Sequence, residues 1–588
     1  MTRTLVIQLG RLGDVIQTTP LLADFASRGD QVDVLVLHSV HTALLGCPAV
    51  ANVIAISDAL KPLDDAIAFG FPHRKIPAEA FDLLAALRLP LYDRIINASH
   101  APLGCWLAAE IPCADPSARY GGIIRDGECL YLGAASAYRI AMLQFREQNL
   151  FNVVDLIRAI PGILPQNAQP RLYAKQSSEL LFALPRGRGV ALNPGASEAA
   201  RCWPAENFAR LAEALSAAGF VPLLVGAPSD RDTCEKIAAA ARVAIPNFAG
   251  RTTIPEMATL LARCDLLVSS DTGAAHLAAA VGTTVVGLYG ATACFAETAP
   301  YGNNHLILQT PLNAPMSAIS LEAAIAAALN RLDRVSTIDF RRELLHRNQS
   351  AWETSFQCPS STSNGNPLGG LVYRSLHRDS LTADELLAQS LHEAFATEFV
   401  EPAAITTPKR LKISAIEPAS EIGSAGKRTT YADNRQRCDD ASLRQILAGM
   451  QILATLCAQS AQSRPASSEV AAAGQCLITI MEKLRASAAE PSWRRLSPVI
   501  HNLDWQLRML PQQSPERTFR AHADAYASAA RILRCAMRSA TNVVNDSSKE
   551  NETIDWSGSF ATERREGGQV PHSVRIQAPA RQRGSVSP

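Results

Sequence analysis

Short apolar runs rich in β-branched residues alternate with amphipathic helical patterns over roughly the first 330 residues. This alternation is typical of parallel sheets flanked by helices. Nine runs are predicted to be strands: Thr4–Leu9, Val32–Leu37, Val53–Ile56, Arg94–Ala98, Gly189–Asn193, Val221–Gly226, Asp265–Ser269, Thr284–Leu288 and His305–Leu308. The segments between these strands are predicted to be helices. Ala205–Ala218 is an example, because its apolar side chains recur at helical spacing.

The strands fall into two series, which meet at Pro161-Gly-Ile-Leu-Pro165. Two prolines and a glycine suit a domain junction, because neither residue type continues a helix well. We therefore predict an α/β fold twice over, with one domain at residues 1–165 and a second at residues 166–334.

Beyond Arg334 the strand signal fades. The Ser- and Gly-rich stretch Pro359 to Gly370 predicts a flexible linker within residues 335–380. A helical extension follows at residues 381–541, where Thr382-Ala-Asp-Glu385 resembles a capping box before apolar residues at helical spacing. Residues 542–588 are polar and rich in Ser, Glu and Arg, which predicts a disordered tail.

Length and charge narrow the class of protein. The 588 residues are too many for one ordinary domain of about 100–200 residues. Lys and Arg number 56 against 55 Asp and Glu, so the net charge of +1 gives no sign of a nucleic-acid partner.

The sequence shows no pattern typical of an export signal, and this predicts the cellular compartment of the protein. The opening apolar run, Leu5–Leu9, is short and typical of a buried strand rather than a signal peptide. No run approaches the roughly 18–20 apolar residues of a spanning helix. The 13 cysteines include no Cys-x-x-Cys pair, which favours reduced thiols in the cytoplasm and indicates neither a disulfide framework nor a zinc site.

The first candidate for chemistry is Gly10-Arg-Leu-Gly-Asp14, where the first strand ends and a helix begins. Ligands of open parallel sheets gather outside the carboxyl ends of the strands, and an Asp there can serve as a general base. The structural alternative is that Asp14 only stabilises the start of the helix. The two interpretations are compatible.

The second candidate is the loop that carries Asn193-Pro-Gly-Ala-Ser197 and Arg201-Cys-Trp-Pro204. The Ser197 hydroxyl and the Arg201 guanidinium can hold diphosphate oxygens. Arg201 as a solvated loop residue is the alternative. Pro204 suits the first turn of the next helix.

The third candidate is Ser269-Ser-Asp-Thr-Gly-Ala-Ala-His276, which opens a helix of small residues. The backbone N–H groups of Thr272 and Gly273 would lie at the helix N-terminus, which attracts phosphate, and His276 could add a donor. The alternative is that Asp271 caps the helix and His276 merely packs.

Two further motifs, Gly226-Ala-Pro-Ser-Asp230 and Gly250-Arg-Thr-Thr253, are expected at the same sheet edge, around a single nucleotide. The dinucleotide and P-loop interpretations lose support, because no Gly-x-Gly-x-x-Gly follows Leu9 and no Gly-x-x-x-x-Gly-Lys-Ser/Thr is present.

In this order the motifs resemble glycosyltransferase family 9, the ADP-heptose:lipopolysaccharide heptosyltransferases. The resemblance covers residues 1–330 and rests on Arg11-Leu-Gly-Asp-Val-Ile-Gln-Thr-Thr-Pro-Leu-Leu22, Asn193-Pro-Gly-Ala196, Arg201-x-Trp-Pro204, Asp271-Thr-Gly-Ala-Ala-His-Leu277 and Gly287-Leu-Tyr-Gly-Ala-Thr292. It implies a GT-B fold of two facing Rossmann-like domains. It also implies an inverting transfer of heptose from ADP-heptose to a lipopolysaccharide-core or other surface-glycan acceptor, without metal or other cofactor.

The resemblance assigns roles to residues of both domains. Asp14 would be the catalytic base, while Ser197, Arg201, Thr272, Gly273 and His276 would neutralise the departing diphosphate. Asp271 would orient the sugar or its phosphate-binding loop, and Asp230 and Thr252 would lie near the ribose and adenine. The family motif commonly carries Lys where this chain has Arg201, so a planar fork replaces a point charge.

Several alternatives stay open on the sequence alone. A GT-B transferase could use another nucleotide-sugar or a protein acceptor, and a nucleotide-sugar epimerase can share the two facing domains. A non-catalytic scaffold would use the helical extension to bind a protein partner. A glycolipid acceptor would bring the enzyme to the cytosolic face of the inner membrane as a peripheral contact.

Overall fold

The structure is a computed structural model. It describes residues 1–60, 76–125, 128–142, 146, 149–163, 165, 169–172, 188–347, 350–357 and 370–376, with the single residues 499, 503 and 529. Apart from those three single residues, the predicted helical extension at 381–541 and the predicted tail at 542–588 lie outside the described residues.

The described residues contain strands and helices in alternation. The strands are β1 (Arg3–Gln8), β2 (Gln31–Leu37), β3 (Asn52–Ile56), β4 (Arg94–Asn97), β5 (Arg119–Arg125), β6 (Glu128–Leu132), β7 (Gly189–Asn193), β8 (Val221–Leu224), β9 (Cys264–Ser270), β10 (Thr284–Tyr289), β11 (Leu306–Gln309), β12 (Ser350–Gln357) and β13 (Gly370–Ser375). The helices are α1 (Leu12–Ser27), α2 (Ala78–Leu87), α3 (Pro102–Glu110), α4 (Ala134–Met142), α5 (Val153–Ala159), α6 (Ala205–Ala217), α7 (Arg231–Ala240), α8 (Ile254–Leu261), α9 (Gly273–Ala280), α10 (Phe295–Thr298), α11 (Leu321–Arg331) and α12 (Thr337–Arg347).

The first sheet has the order β3-β2-β1-β4-β5-β6, and all its pairs are parallel except β5 with β6. Four of its strands are predicted from their apolar runs, whereas β5 and β6 are not. Strand β5 contains Gly121 at φ +89°, where a Cβ would lie 2.0 Å from the Asn97 carbonyl oxygen. The close backbone contact requires glycine at this position. Because glycine is depleted in strands generally, its presence weakens the strand signal in the sequence.

The second sheet has the order β13-β12-β11-β10-β9-β7-β8. Strands β7 to β11 are parallel, and an isolated bridge from Leu224 to Asn247 continues the parallel pairing beyond β8. All five parallel strands are predicted within a residue or two. The two sheets with their helices confirm the predicted α/β class with two Rossmann-like halves.

The described residues 337–347, 350–357 and 370–375 differ from the expected linker, because they form α12, β12 and β13. Phe340 of α12 is fully buried in the core of the second half. Strands β12 and β13 extend that sheet as an antiparallel edge. Their polar residues conceal them in the sequence: Glu353 of β12 accepts a hydrogen bond of 2.7 Å from Arg331, and this partner lies on α11.

Helix α1 shows how local sequence supports a difficult element. Pro20 lies inside the helix and has no N–H to donate to the Ile16 carbonyl. The Thr19 hydroxyl donates to that carbonyl instead, at 2.7 Å. The helix therefore continues past Pro20 with the carbonyl satisfied. Among the helices of the described ranges, none is long and apolar enough to cross a membrane.

Candidate active site

Each sheet has a point where the strand order changes direction, and the candidate residues lie there. In the first sheet, β1 is flanked by β2 and β4; in the second, β7 is flanked by β8 and β9. Loops at the carboxyl ends of the central strands form a crevice at such a point, where ligands bind. Asp14 follows β1, Arg201 follows β7 and Asp271 follows β9.

The two halves meet closely at the N-termini of α1 and α9. A methyl group on Gly13 would lie 2.8 Å from His276 Cδ2 and 3.7 Å from Gly273 Cα. A methyl group on Gly273 would in turn lie 3.4 Å from Leu12 Cβ. The two glycines thus let the start of one helix contact the start of the other. The residue after Gly13 is the candidate base.

Asp14 stabilises the start of its helix, as the structural alternative predicts. Its Oδ2 accepts a hydrogen bond of 2.8 Å from the Arg11 backbone N–H. A Cβ on Gly10 would lie 2.6 Å from the same oxygen, so the carboxylate packs directly on Gly10. The side chain is only partly buried and keeps contact with solvent. Its charge also acts on His276 and Asp271 of the second half.

Arg201 and Asp271 form an ion pair in the second half. Arg201 Nη2 donates to Asp271 Oδ2 at 2.5 Å, and both side chains are largely buried, with 13% and 8% exposed. Burial raises the pKa of Asp271, and the Arg201 charge opposes that rise. Arg201 Nε is buried and has no hydrogen-bond partner among the described residues. The guanidinium therefore keeps a donor that a ligand could use.

His276 lies beside this pair, with Nε2 3.9 Å from Asp271 Oδ1. Burial lowers the pKa of His276 to about 4, although the charge of Asp14 acts in the opposite direction. The imidazole is therefore neutral near pH 7. We expect it to contribute a hydrogen bond to a bound anion rather than a positive charge.

Helix α9 directs its N-terminus at the same place. Thr272 is the N-cap residue, yet its side chain accepts no hydrogen bond from the first turn of its own helix. Its Oγ1 instead accepts a hydrogen bond of 2.8 Å from Asn193 Nδ2. The first N–H groups of a helix have no partner within that helix and attract anions. Gly273 supplies one of these groups and allows close approach.

Three predicted residues lie on neighbouring loops of this edge. Ser197 is exposed on the loop after β7. The Asp230 carboxylate accepts a hydrogen bond of 2.8 Å from the Ala227 backbone N–H. A Cβ on Gly195 would lie within 2.4 Å of the atoms of that carboxylate. Thr252 Oγ1 is buried without a partner among the described residues. Within those residues, no hydrogen bond or ion pair joins these three side chains to the Arg201–Asp271 cluster.

Sequence reasoning missed two arginines of the first half that lie near this cluster. Arg139 of α4 is buried and donates to the Ala98 carbonyl at 2.7 Å, at the end of β4. Burial lowers its pKa, and the Asp14 charge counteracts this. The signal is an arginine inside an otherwise apolar helical stretch, Ala134–Met142.

Arg146 joins the two halves. Its Nη1 donates to the Thr292 carbonyl at 2.9 Å, and its Nε pairs with the Glu297 carboxylate. The Arg146 charge also lowers the pKa of Asp271. No sequence pattern identifies Arg146, because both of its partners belong to the other half of the molecule.

Part of the chain is similar to known glycosyltransferases. Residues 163–319 match the family Glycosyltransferase family 9 (heptosyltransferase). Lipopolysaccharide heptosyltransferase 3 of Escherichia coli is 23% identical over 291 residues, which cover 48% of this chain and 81% of that protein. Lipooligosaccharide heptosyltransferase 2 of Haemophilus influenzae is 37% identical over 163 residues, or 26% of this chain and 46% of that protein. The chain thus spans about half the length of this second relative.

Two solved structures are similar to the α/β part. A family 9 glycosyltransferase from Veillonella parvula aligns with a TM-score of 0.44 and 18% identity, over 56% of this chain and 97% of that chain. The Escherichia coli ADP-heptose lps heptosyltransferase II aligns with a TM-score of 0.42 and 20% identity, over 57% of this chain and 99% of that chain. The family match over residues 163–319 and the two curated relatives agree that the α/β part is similar to the glycosyltransferases of family 9.

Proposed function

We propose that this protein transfers a heptose from ADP-heptose to a hydroxyl of a lipopolysaccharide-core or other surface-glycan acceptor, with inversion and without a metal ion. One observation carries the proposal. The contact of Gly13 with His276 and Gly273 brings the candidate base and the anion-binding helix start together across the two halves. A base beside an anion site is the arrangement that such a transfer needs.

Asp14 would act on the acceptor. Its carboxylate takes the proton of the acceptor hydroxyl while that oxygen attacks the anomeric carbon of the sugar. The new bond forms on one face of the sugar, and the bond to the diphosphate oxygen breaks on the other. ADP departs with the bonding electron pair, and the single displacement inverts the anomeric centre.

The second half would stabilise the departing diphosphate. Arg201 supplies a positive charge, and its Nε is a buried donor without a partner among the described residues. The first N–H groups of α9 and a neutral His276 add hydrogen bonds where negative charge develops. Ser197 would add a hydroxyl from the exposed loop, and Asp271 would orient the sugar. Asp230 and Thr252 would lie near the ribose and adenine.

The substitution Asp14→Asn tests the assigned base. The Asn oxygen can still accept the Arg11 N–H bond, so helix α1 keeps its start, but the amide cannot take a proton. We expect kcat for heptose transfer to fall by about 10²–10⁴-fold, the usual contribution of general-base catalysis. Affinity for ADP should stay within about twofold by calorimetry. Near-normal turnover in this variant contradicts the role of Asp14.

A panel of nucleotide-sugars identifies the donor. A ligand that binds only the native state raises apparent stability, so ADP-heptose should raise the melting temperature more than UDP-sugars do. Preference for a uridine sugar would overturn the heptose assignment. An epimerase would convert the nucleotide-sugar without any acceptor, so incubation with donor alone separates that activity from transfer. Lack of binding by every nucleotide-sugar would favour a scaffold.

A further inference from the structure

Asn193 lies at the carboxyl end of β7, in register with Ser269 of the adjacent parallel strand β9. Its side chain is 3% exposed. This position is the point where the strand order of the second sheet changes direction. Asn193 is therefore buried directly beneath the crevice that holds the candidate diphosphate site, yet no role in that site is assigned to its side chain.

Both amide protons of Asn193 are used. Nδ2 donates to Thr272 Oγ1 at 2.8 Å and to Ser269 Oγ at 3.1 Å. An amide nitrogen carries two protons, so the two hydroxyls take the whole donor capacity. Asn193 thereby joins β7 to the N-cap residue of α9.

A count of hydroxyl protons fixes the direction of the remaining bond. Ser269 Oγ donates its single proton to the Ser270 carbonyl at 2.7 Å. In the 3.0 Å contact between Ser269 Oγ and Thr272 Oγ1, Ser269 must therefore accept and Thr272 must donate. The Thr272 hydroxyl accepts from Asn193 and donates to Ser269, so it is held on both sides.

This arrangement is unusual for a threonine at an N-cap. Such a hydroxyl ordinarily accepts a hydrogen bond from an N–H of the first helical turn. The Thr272 hydroxyl makes no such bond. Thr253, which begins α8, shows the ordinary behaviour in the same half, since its Oγ1 accepts from the Glu256 N–H at 3.4 Å. At α9 the Thr272 hydroxyl is bonded to the neighbouring asparagine instead.

Two buried polar atoms lie beside the network without a partner among the described residues. Asn193 Oδ1 and Ser270 Oγ have no hydrogen-bond partner in the part of the chain that the structure describes. Ser270 is 1% exposed and precedes Asp271 of the candidate site. Buried polar atoms generally have partners, so atoms without one call for a bound group or water.

We propose that Asn193 is a positioning residue: it holds the Thr272 hydroxyl away from the first turn of α9 and so keeps the N–H groups of Gly273 and Ala274 available to the diphosphate of the donor. This inference rests on the proposed function, because it assumes that the diphosphate binds at α9. Asn193 acts through Thr272 and does not take part in the chemistry.

A double-mutant cycle with Asn193→Ala and Thr272→Val tests the proposal. In Asn193→Ala the threonine hydroxyl is free to turn and cap its own helix, where it competes with the anion. We expect the Kd for ADP, measured by calorimetry, to rise about threefold to tenfold, the size of one capping hydrogen bond. Valine has no hydroxyl and cannot cap. The double variant should therefore bind ADP more tightly than Asn193→Ala, at about the level of Thr272→Val alone.

A merely structural role gives a double variant that binds ADP no more tightly than Asn193→Ala, because removal of the threonine hydroxyl then relieves no competition with the anion. That outcome overturns the proposal, as does an Asn193→Ala variant with wild-type affinity. Ser320→Ala is the control: this serine caps α11 of the same half, and its removal should lower the melting temperature without changing the Kd for ADP. If the wild type binds neither ADP nor any nucleotide-sugar, the proposed function itself fails.

Discussion

At the scale of single residues, the candidate site depends on glycines, because their lack of a Cβ allows close contacts. Gly13 and Gly273 have no Cβ, which lets the starts of α1 and α9 touch. Gly195 and Gly226 likewise leave room for the Asp230 carboxylate. These contacts join consecutive loops of the catalytic edge, so a single methyl group can separate groups that must act together.

The substitution Gly13→Ala should slow transfer without unfolding the protein. The new methyl group would lie 2.8 Å from His276 Cδ2, closer than real Cβ contacts allow, so the His276 ring or the start of α1 must shift. We expect kcat to fall at least tenfold, since small misplacements of reacting groups are costly. Steady-state kinetics measures the effect. Gly104→Ala is the control, because its methyl group would meet its nearest atom at 3.4 Å within the first half.

Buried histidines predict how stability depends on pH. Burial lowers the pKa of His305 to about 4, from an ordinary value of 6.5. Because the folded pKa lies below the unfolded one, the unfolded chain binds the proton first as the pH falls. The free energy that the neutral His305 contributes to folding is fully present above pH 6.5 and is lost as the pH falls from 6.5 to 4.

The substitution His305→Asn checks this dependence. His305 Nδ1 accepts a hydrogen bond of 3.1 Å from the Val285 N–H, and the Asn oxygen can take its place without titrating. Urea unfolding between pH 4 and 7 should show a shallower loss of stability, by about 1.4 kcal/mol per pH unit for one proton. An unchanged slope would show that His305 does not titrate in this range. His276, whose pKa burial also lowers to about 4, should add a similar loss.

At the scale of elements, the short helix α10 depends on side chains from elsewhere. The last carbonyls of any helix lack partners within it. Tyr373 of β13 donates its hydroxyl to the Phe295 or Ala296 carbonyl, at 3.1 and 3.2 Å. Asn152 donates to the Ala299 carbonyl at 3.0 Å. The antiparallel β12–β13 hairpin thus stabilises a helix that presents Glu297 to Arg146.

The substitution Tyr373→Phe should destabilise the α/β part by about 1–3 kcal/mol, because the partly buried Ala296 carbonyl loses a donor and the Asn152 amide loses an acceptor. Chemical denaturation followed by circular dichroism measures the change in unfolding free energy. Tyr120→Phe is a suitable control, since the Tyr120 hydroxyl has no hydrogen bond within the described ranges. Equal effects of both substitutions would show that the bonds to α10 contribute nothing.

At the scale of the whole molecule, buried polar contacts join the two halves. Arg146 reaches Thr292 and Glu297, and the Arg171 backbone N–H donates to Thr19 Oγ1 at 3.1 Å. Asp155 of α5 accepts from the Tyr301 hydroxyl and, at 3.2 Å, from the Leu371 N–H. Burial raises the pKa of Asp155 to about 6. These contacts hold the two halves against each other.

Much of the fold could be predicted from the sequence. The parallel strands of both sheets appear as short apolar runs and are predicted from the sequence, except β5, which glycines conceal. The edge elements α12, β12 and β13 could not be predicted. Their polar residues are satisfied by partners such as Arg331, which are distant in sequence.

The sequence by itself determined which residues could act, because Asp14, Arg201, Asp271 and His276 occur in motifs whose chemistry is local. Only the tertiary structure decided how they act together. Arg201 pairs with Asp271 across 70 residues, Gly13 touches His276, and burial makes that histidine neutral. Arg139, Arg146 and Asn193 enter the site in the same way. Contacts between remote segments and the loss of water around a charge arise only when the chain folds. A local sequence pattern therefore does not predict them.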